Sequence, residues 1–199
     1  MVSSEELPAF YEAVATLPNT VARDYLLLLL FTGLRRREAA ALTWDDVDLT
    51  GKVIRIPATS TKAGRKLDLP MSTFVHDRLV ARRAIGQAEY VFPSNSKSGH
   101  IEEPKFPLRQ VAERTSVKVS VHDLRRTFIT VAESTDMSPL ALKALVNHAI
   151  GGDVTAGYVQ MTTERLRNPV QAVCDKLIEL CRIPPDEMGI RVVTEAAQG

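Results

Sequence analysis

Apolar positions recur every three or four residues along most of the chain, the spacing of helices that bury one face. Ser4 followed by Glu5 and Glu6 reads as a helix cap with acids in the first turn, opening a helix to about residue 17. A second helix is expected over about residues 21–32. Its run 26–31 is apolar on every side, as in a helix buried all round, and Gly33 suits its stop. A third begins near Leu34 and carries Arg35, Arg36, Arg37 and Glu38 toward Leu42. The pattern then turns to alternation: residues 52–56 (KVIRI) and 66–69 (KLDL) flank the turn-rich stretch 59–65 and predict a small antiparallel hairpin.

Helical spacing returns over residues 72–85, followed by the short apolar piece 90–92, which Pro93 ends. A loop is expected over 94–103, with Pro104 starting the next helix. Residues 121–134 form another helix, and Ser138-Pro139 is a cap with proline at the first helical position, opening a helix to Asn147. Gly151-Gly152 breaks the chain before the apolar segment 154–159. A last helix runs from about Asn168 to Cys181 and stops before Pro184-Pro185. The sum is a mainly α fold with a small antiparallel β-sheet, of α+β class.

Composition narrows the class. A chain of 199 residues, 45% hydrophobic, buries roughly 70% of its unfolded surface. Ten glycines and eleven prolines spread thinly exclude collagen-like or disordered structure. The longest apolar run falls far short of the roughly 20 residues of a membrane span, and the opening Met-Val-Ser-Ser-Glu-Glu shows no secretory signal. Cys174 and Cys181 lie seven apart, on one helical face rather than at a metal-ligand spacing, so a reducing, cytoplasmic setting is expected. Net charge is +1, too low for a strongly basic nucleic-acid-binding domain. The balance is uneven, however. Residues 1–19 hold three acids and no base, 20–130 hold 19 bases against 12 acids, and 131–199 hold 6 against 9. The central +7 fits either an anionic partner or a solvated face.

Several residues invite chemistry. His122 and Arg125, at i and i+3, would aim an imidazole and a guanidinium at one spot, a pairing suited to a phosphate. The plainer reading makes His122 a helix cap and pairs Arg125 with an acid. In TGLRRRE (32–38) a glycine turn places Arg35 at a helix start, with Glu38 one turn on to hold its side chain. Arg36 and Arg37 fit a solvated basic face equally well. Lys62, at the hairpin tip, suits a proton donor to a leaving alkoxide, though tip lysines are often only solvated. Asn147-His148 follows an apolar helix, and Tyr158 comes ten residues later. Tyrosine oxygen is a covalent nucleophile only with help from cations or a base, given a free pKa near ~10. Tyr11, Tyr25 and Tyr90 read as core.

TGLRRRE, the hairpin lysine, HDLRRTF, LVNH and DVTAGY, in this order, closely resemble the catalytic domain of tyrosine recombinases, the phage-integrase family, over about residues 3–181. The resemblance implies that Arg35 and Arg125 clamp the scissile phosphate. It further implies that His122 exchanges the proton of the attacking tyrosine, His148 hydrogen-bonds a phosphate oxygen, Lys62 protonates the departing 5′-hydroxyl and Tyr158 forms a 3′-phosphotyrosyl link. Glu38 would support Arg35, while Arg36, Arg65, Lys66 and Arg126 are candidate DNA contacts. No metal, ATP or other cofactor is implied. The partner would be duplex DNA, bound by a homotetramer in the synaptic complex and a monomer in isolation, with no membrane and no small-molecule substrate. Arg37 departs from the family pattern, which has a small residue there, so the turn around Arg35 is expected to pack differently.

Residues 1–182 are expected to form the catalytic domain, with 183–199 a tail. The family's N-terminal DNA-clamping domain is expected to be absent. The last helix and tail would dock either on a neighbouring subunit or on this chain. Two other readings stay open: a silent DNA-binding remnant, and a metal phosphohydrolase built on His122, Asp123, His148 and Asp153.

Overall fold

A computed structural model gives the fold and describes residues 1–61, 64, 66–146 and 162–185. Lys62, Arg65, His148 and Tyr158 lie outside the described residues, as do Asp153 and the apolar segment 154–159.

Helix α1 spans Leu7–Ala15. It starts later than Ser4 because the preceding turn is closed by Ser3, whose amide and hydroxyl both donate to the Glu6 carboxylate (2.9 and 2.7 Å). Helix α2, Thr20–Thr32, is capped by the Asn19 side chain, which accepts from the Ala22 amide at 3.0 Å. Every residue from Tyr25 to Thr32 is buried, so α2 is the central post of the core. Phe31 stacks on Phe74 at 4.1 Å and Tyr25 meets Phe92 edge-on at 5.3 Å.

After helix α3, Arg36–Ala40, the expected hairpin appears as β2, Val53–Ile56, against β3, Leu67–Pro70, with Ile54 opposite Leu69. A third strand, β1 (Val47–Asp48), adds to the β2 edge and makes an antiparallel sheet of order β1-β2-β3. Two residues are too few to show a period, so the sequence pattern does not reveal it.

Helix α4, Thr73–Ile85, is capped by Ser72. It carries Arg82, which is 8% exposed and bonds to the equally buried Asp24 of α2 at 2.9 Å. The Arg82 Nε donates to the Val91 carbonyl at 2.5 Å, and its guanidinium lies over the Phe92 ring. This pair ties the 90–92 piece to the core. Tyr90 itself is half-buried rather than core: it forms an isolated bridge to Thr43, with its ring against His100. In the loop that follows, the hydroxyls of Ser94, Ser96 and Ser98 all donate to the His100 carbonyl.

Helices α5 (Lys105–Thr115), α6 (Val121–Glu133), α7 (Pro139–Leu145) and α8 (Thr163–Cys181) complete the described elements. Helix α8 begins five residues before Asn168 and takes Pro169 into its interior. Its apolar stripe, including Leu166, Val173 and Leu177, is buried, and the helix packs against β3, α1 and α6 of its own chain. Of the expected tail, residues 186–199 lie outside the described residues. Cys174 and Cys181 are buried and unbridged, and burial pushes their thiols up to about 11 and about 12. Among the described residues no helix is long and apolar enough to cross a membrane.

Candidate active site

The α2–α3 turn is built around Gly33, whose φ of +63° is a left-handed conformation that costs other residues strain. Its Cα also faces the Phe128 ring so closely that a Cβ would lie 2.3 Å from Phe128 Cδ1. Thr32, fully inside, donates its hydroxyl to the Leu28 carbonyl (2.6 Å) and accepts from the Leu34 amide (3.3 Å), locking the exit from α2. Arg35 follows as the residue before α3. Glu38 receives its amide at 2.8 Å and its guanidinium at 2.9 Å. The Glu38 carboxylate is only 2% exposed, whereas the Arg35 side chain is 25% exposed. A buried anion thus holds a cation that still reaches solvent. Arg37 is exposed on α3, so its bulk is accommodated at the surface and not within the turn.

Arg125 comes from α6, which Ser120 caps: the Ser120 amide and hydroxyl donate to the Asp123 carboxylate at 2.9 and 2.6 Å. Only 5% of Arg125 is exposed. Among the described residues it forms no ion pair with an acid. Its Nη1 donates to the Gly33 carbonyl and its Nη2 to the Val146 carbonyl at 2.6 Å. One guanidinium thereby joins α6, the turn that presents Arg35, and the end of α7 just before Asn147. Burial pulls Arg125 down to about 10, with nearby Arg35 acting in the same direction and Glu38 opposing; it remains a cation at neutral pH. His122 is exposed on the first turn of α6 and does not cap it.

Arg35, His122 and Arg125 line one open cleft of about 1340 Å³, whose other walls include Thr59 and Ser60 before the hairpin tip and Lys105 at the start of α5. Of the candidate DNA contacts, Arg36 lines this cleft and donates to the Glu102 carbonyl at 2.8 Å. Arg126 is exposed, 3.7 Å from Asp123, and Lys66 pairs with Asp68 at 3.0 Å. Asp123 gives its carboxylate to the α6 cap, and His148 and Asp153, the further ligands of the metal reading, lie outside the described residues. Sequence reasoning missed Tyr25 as a participant in this turn. Its hydroxyl donates to the Arg36 carbonyl at 2.9 Å, and nothing in the sequence distinguishes it from a core tyrosine.

The phage integrase family model matches residues 1–165. Prophage integrase IntF of Escherichia coli K12 is 32% identical over 153 residues, which cover 74% of this chain and 32% of IntF. The integrase from mycobacterium phage Brujita has the same fold, with a TM-score of 0.67 at 18% identity over 90% of this chain and 62% of that one. So does the XerH site-specific recombinase, solved bound to its difH substrate, with a TM-score of 0.59 at 20% identity over 73% and 46% of the two chains. The chain spans 32 to 41% of the length of three of the integrases it matches. Its mainly helical architecture with one small antiparallel sheet is that of a tyrosine recombinase catalytic domain. With the family model matched over most of its length, the chain belongs to the phage integrase family.

Proposed function

We propose that this chain is the catalytic domain of a site-specific recombinase that cuts and rejoins duplex DNA through a 3′-phosphotyrosyl intermediate, without metal or ATP. The observation that carries this reading is the pair of guanidiniums, Arg35 and Arg125, held by Glu38 and by backbone carbonyls on one cleft with His122. A phosphodiester gains negative charge as a fifth oxygen joins phosphorus, and fixed cations there stabilise that state without reorganising. The Tyr158 oxygen attacks phosphorus and gives up its proton to His122, while the bond to the 5′-oxygen breaks and Lys62 protonates it. His148 donates to a non-bridging oxygen. The new phosphotyrosyl ester keeps the energy of the old one, so the reverse attack by a 5′-hydroxyl reseals the strand. Two duplexes and a homotetramer would form the synaptic complex, with the isolated chain a monomer, in the cytoplasm of the host.

Residues 1–182 supply the chemistry on this reading, and DNA contacts from Arg36, Arg65, Lys66 and Arg126 steer the duplex. The complex of XerH with its substrate supports DNA as the ligand here. A nicked suicide duplex carrying the cognate attachment sequence tests the proposal, because the cleaved strand diffuses away and traps the adduct. Wild type should give a covalent protein–DNA band that persists in EDTA, and Tyr158→Phe should bind the duplex and give none. Binding without an adduct in wild type would favour a silent DNA-binding remnant. An adduct in Tyr158→Phe would overturn the choice of nucleophile.

A further inference from the structure

Helix α3 has five residues, too short to hold itself in water, since a helix gains stability only after several turns. What fixes it must come from outside. Ala39 and Ala40 pack into the core, the Arg35–Glu38 capping pair closes the first turn, and the Arg36 guanidinium reaches the Glu102 carbonyl. A further tie is Tyr25, 0% exposed in the middle of α2, whose hydroxyl donates to the Arg36 carbonyl at 2.9 Å. Its ring is clamped by the edge-on contact with Phe92, which is itself covered by the Arg82 guanidinium. The hydroxyl is therefore carried on a post that cannot swing. Burial pushes the phenol well above its ordinary value, so it stays a donor throughout the neutral range. A phenylalanine would fill the same space, which leaves the hydroxyl unexplained by packing.

We propose that Tyr25 is a positioning residue for Arg35: by holding the Arg36 carbonyl to the core post α2, it sets the first turn of α3, from which the Arg35 guanidinium reaches the cleft. This rests on the recombinase reading for its catalytic consequence. Tyr25 does not line the cleft, so it acts only through the backbone.

The test is Tyr25→Phe in the full chain, with two readouts. The first is amide hydrogen exchange at Ala39 and Ala41, whose N–H groups bond to the Arg35 and Arg37 carbonyls at 3.0 and 3.2 Å. Loss of one hydrogen bond should speed their exchange about fivefold, with amides of α2 and α6 unchanged. The second is single-turnover adduct formation on the suicide duplex. A small displacement of a clamping group should slow it roughly tenfold at saturating DNA, with the half-saturating DNA concentration unchanged. In an Arg35→Lys background the same change should slow it no further. Unchanged exchange in α3 overturns the proposal, as does faster exchange with a wild-type rate, or slowing that adds to that of Arg35→Lys. A wild-type chain that forms no adduct overturns the recombinase reading, and the amide exchange then decides whether Tyr25 holds α3.

Discussion

Replacing Gly33 by alanine combines two penalties at one atom. The new methyl would lie 2.3 Å from Phe128 Cδ1 and 2.8 Å from Cγ, against an optimum of about 3.5–4.0 Å between carbons. Because Cγ is the root of the ring, a rotation about the ring axis does not clear the overlap, and Phe128 is 1% exposed with the core behind it. Forcing such a fit costs about 1–3 kcal/mol. The φ of +63° adds about 1–2 kcal/mol for any residue with a Cβ. The sum is about 2–5 kcal/mol, and with a shift of about 2–4 °C per kcal/mol for a chain of this size, melting should fall by roughly 4–20 °C. Circular dichroism during heating, with urea unfolding to verify an unchanged m-value, measures it. Phe128→Ala takes away both clashing carbons and leaves the φ strain, so Gly33→Ala with Phe128→Ala should cost less than the two single changes added. A Gly33→Ala protein that melts within about 2 °C of wild type would refute both terms.

Two further changes probe the scaffold. Asp24→Asn leaves the Arg82 guanidinium buried without its anion and should cost about 3–5 kcal/mol in urea unfolding, since removing one partner strands the other charge; a loss under about 1 kcal/mol would show the pair to be dispensable. The Asp123 carboxyl is held well below the usual carboxylate range, first of all by the Ser120 hydroxyl. Its contribution to stability is therefore full above the unfolded value of about 4 and is lost as pH falls toward the folded one. Ser120→Ala has less of this to lose, so its stability gap from wild type should be wide at pH 7 and narrow in acid. An equal gap at both would contradict the assignment.

How much of this was legible in the sequence differs from element to element. α2 announced itself by an apolar run that only a central helix could bury, and Gly33 marked its end. Glu38 was found as the holder of Arg35 because its spacing along a helix is local. What escaped was non-local. Asp24 and Arg82 are 58 residues apart and carry no pattern that pairs them. The acid expected beside Arg125 is absent among the described residues, since its partners are carbonyls, and every residue has one. The sequence reading begins the last helix at about Asn168, which leaves Pro169 in its first turn. In the structure the buried stripe of Leu166, Val170 and Val173 carries the helix past it.

Arg125 has a consequence for how the site can vary. A guanidinium offers five N–H donors in a fixed plane, and among the described residues two nitrogens each give one to a carbonyl. Three donors of the same rigid fork have no partner among the described residues, so on the proposed reading the group that ties α6 to the Gly33 turn and to the end of α7 is already oriented before any phosphate arrives. Its rotamer freedom is surrendered during folding and not at binding. Lysine, with one nitrogen on a flexible stem, cannot span the two carbonyls and keep a fork for an anion. Packing of α6 against its neighbours and the shape of the cleft are thus joined in this planar cation, so a change at Arg125 alters both.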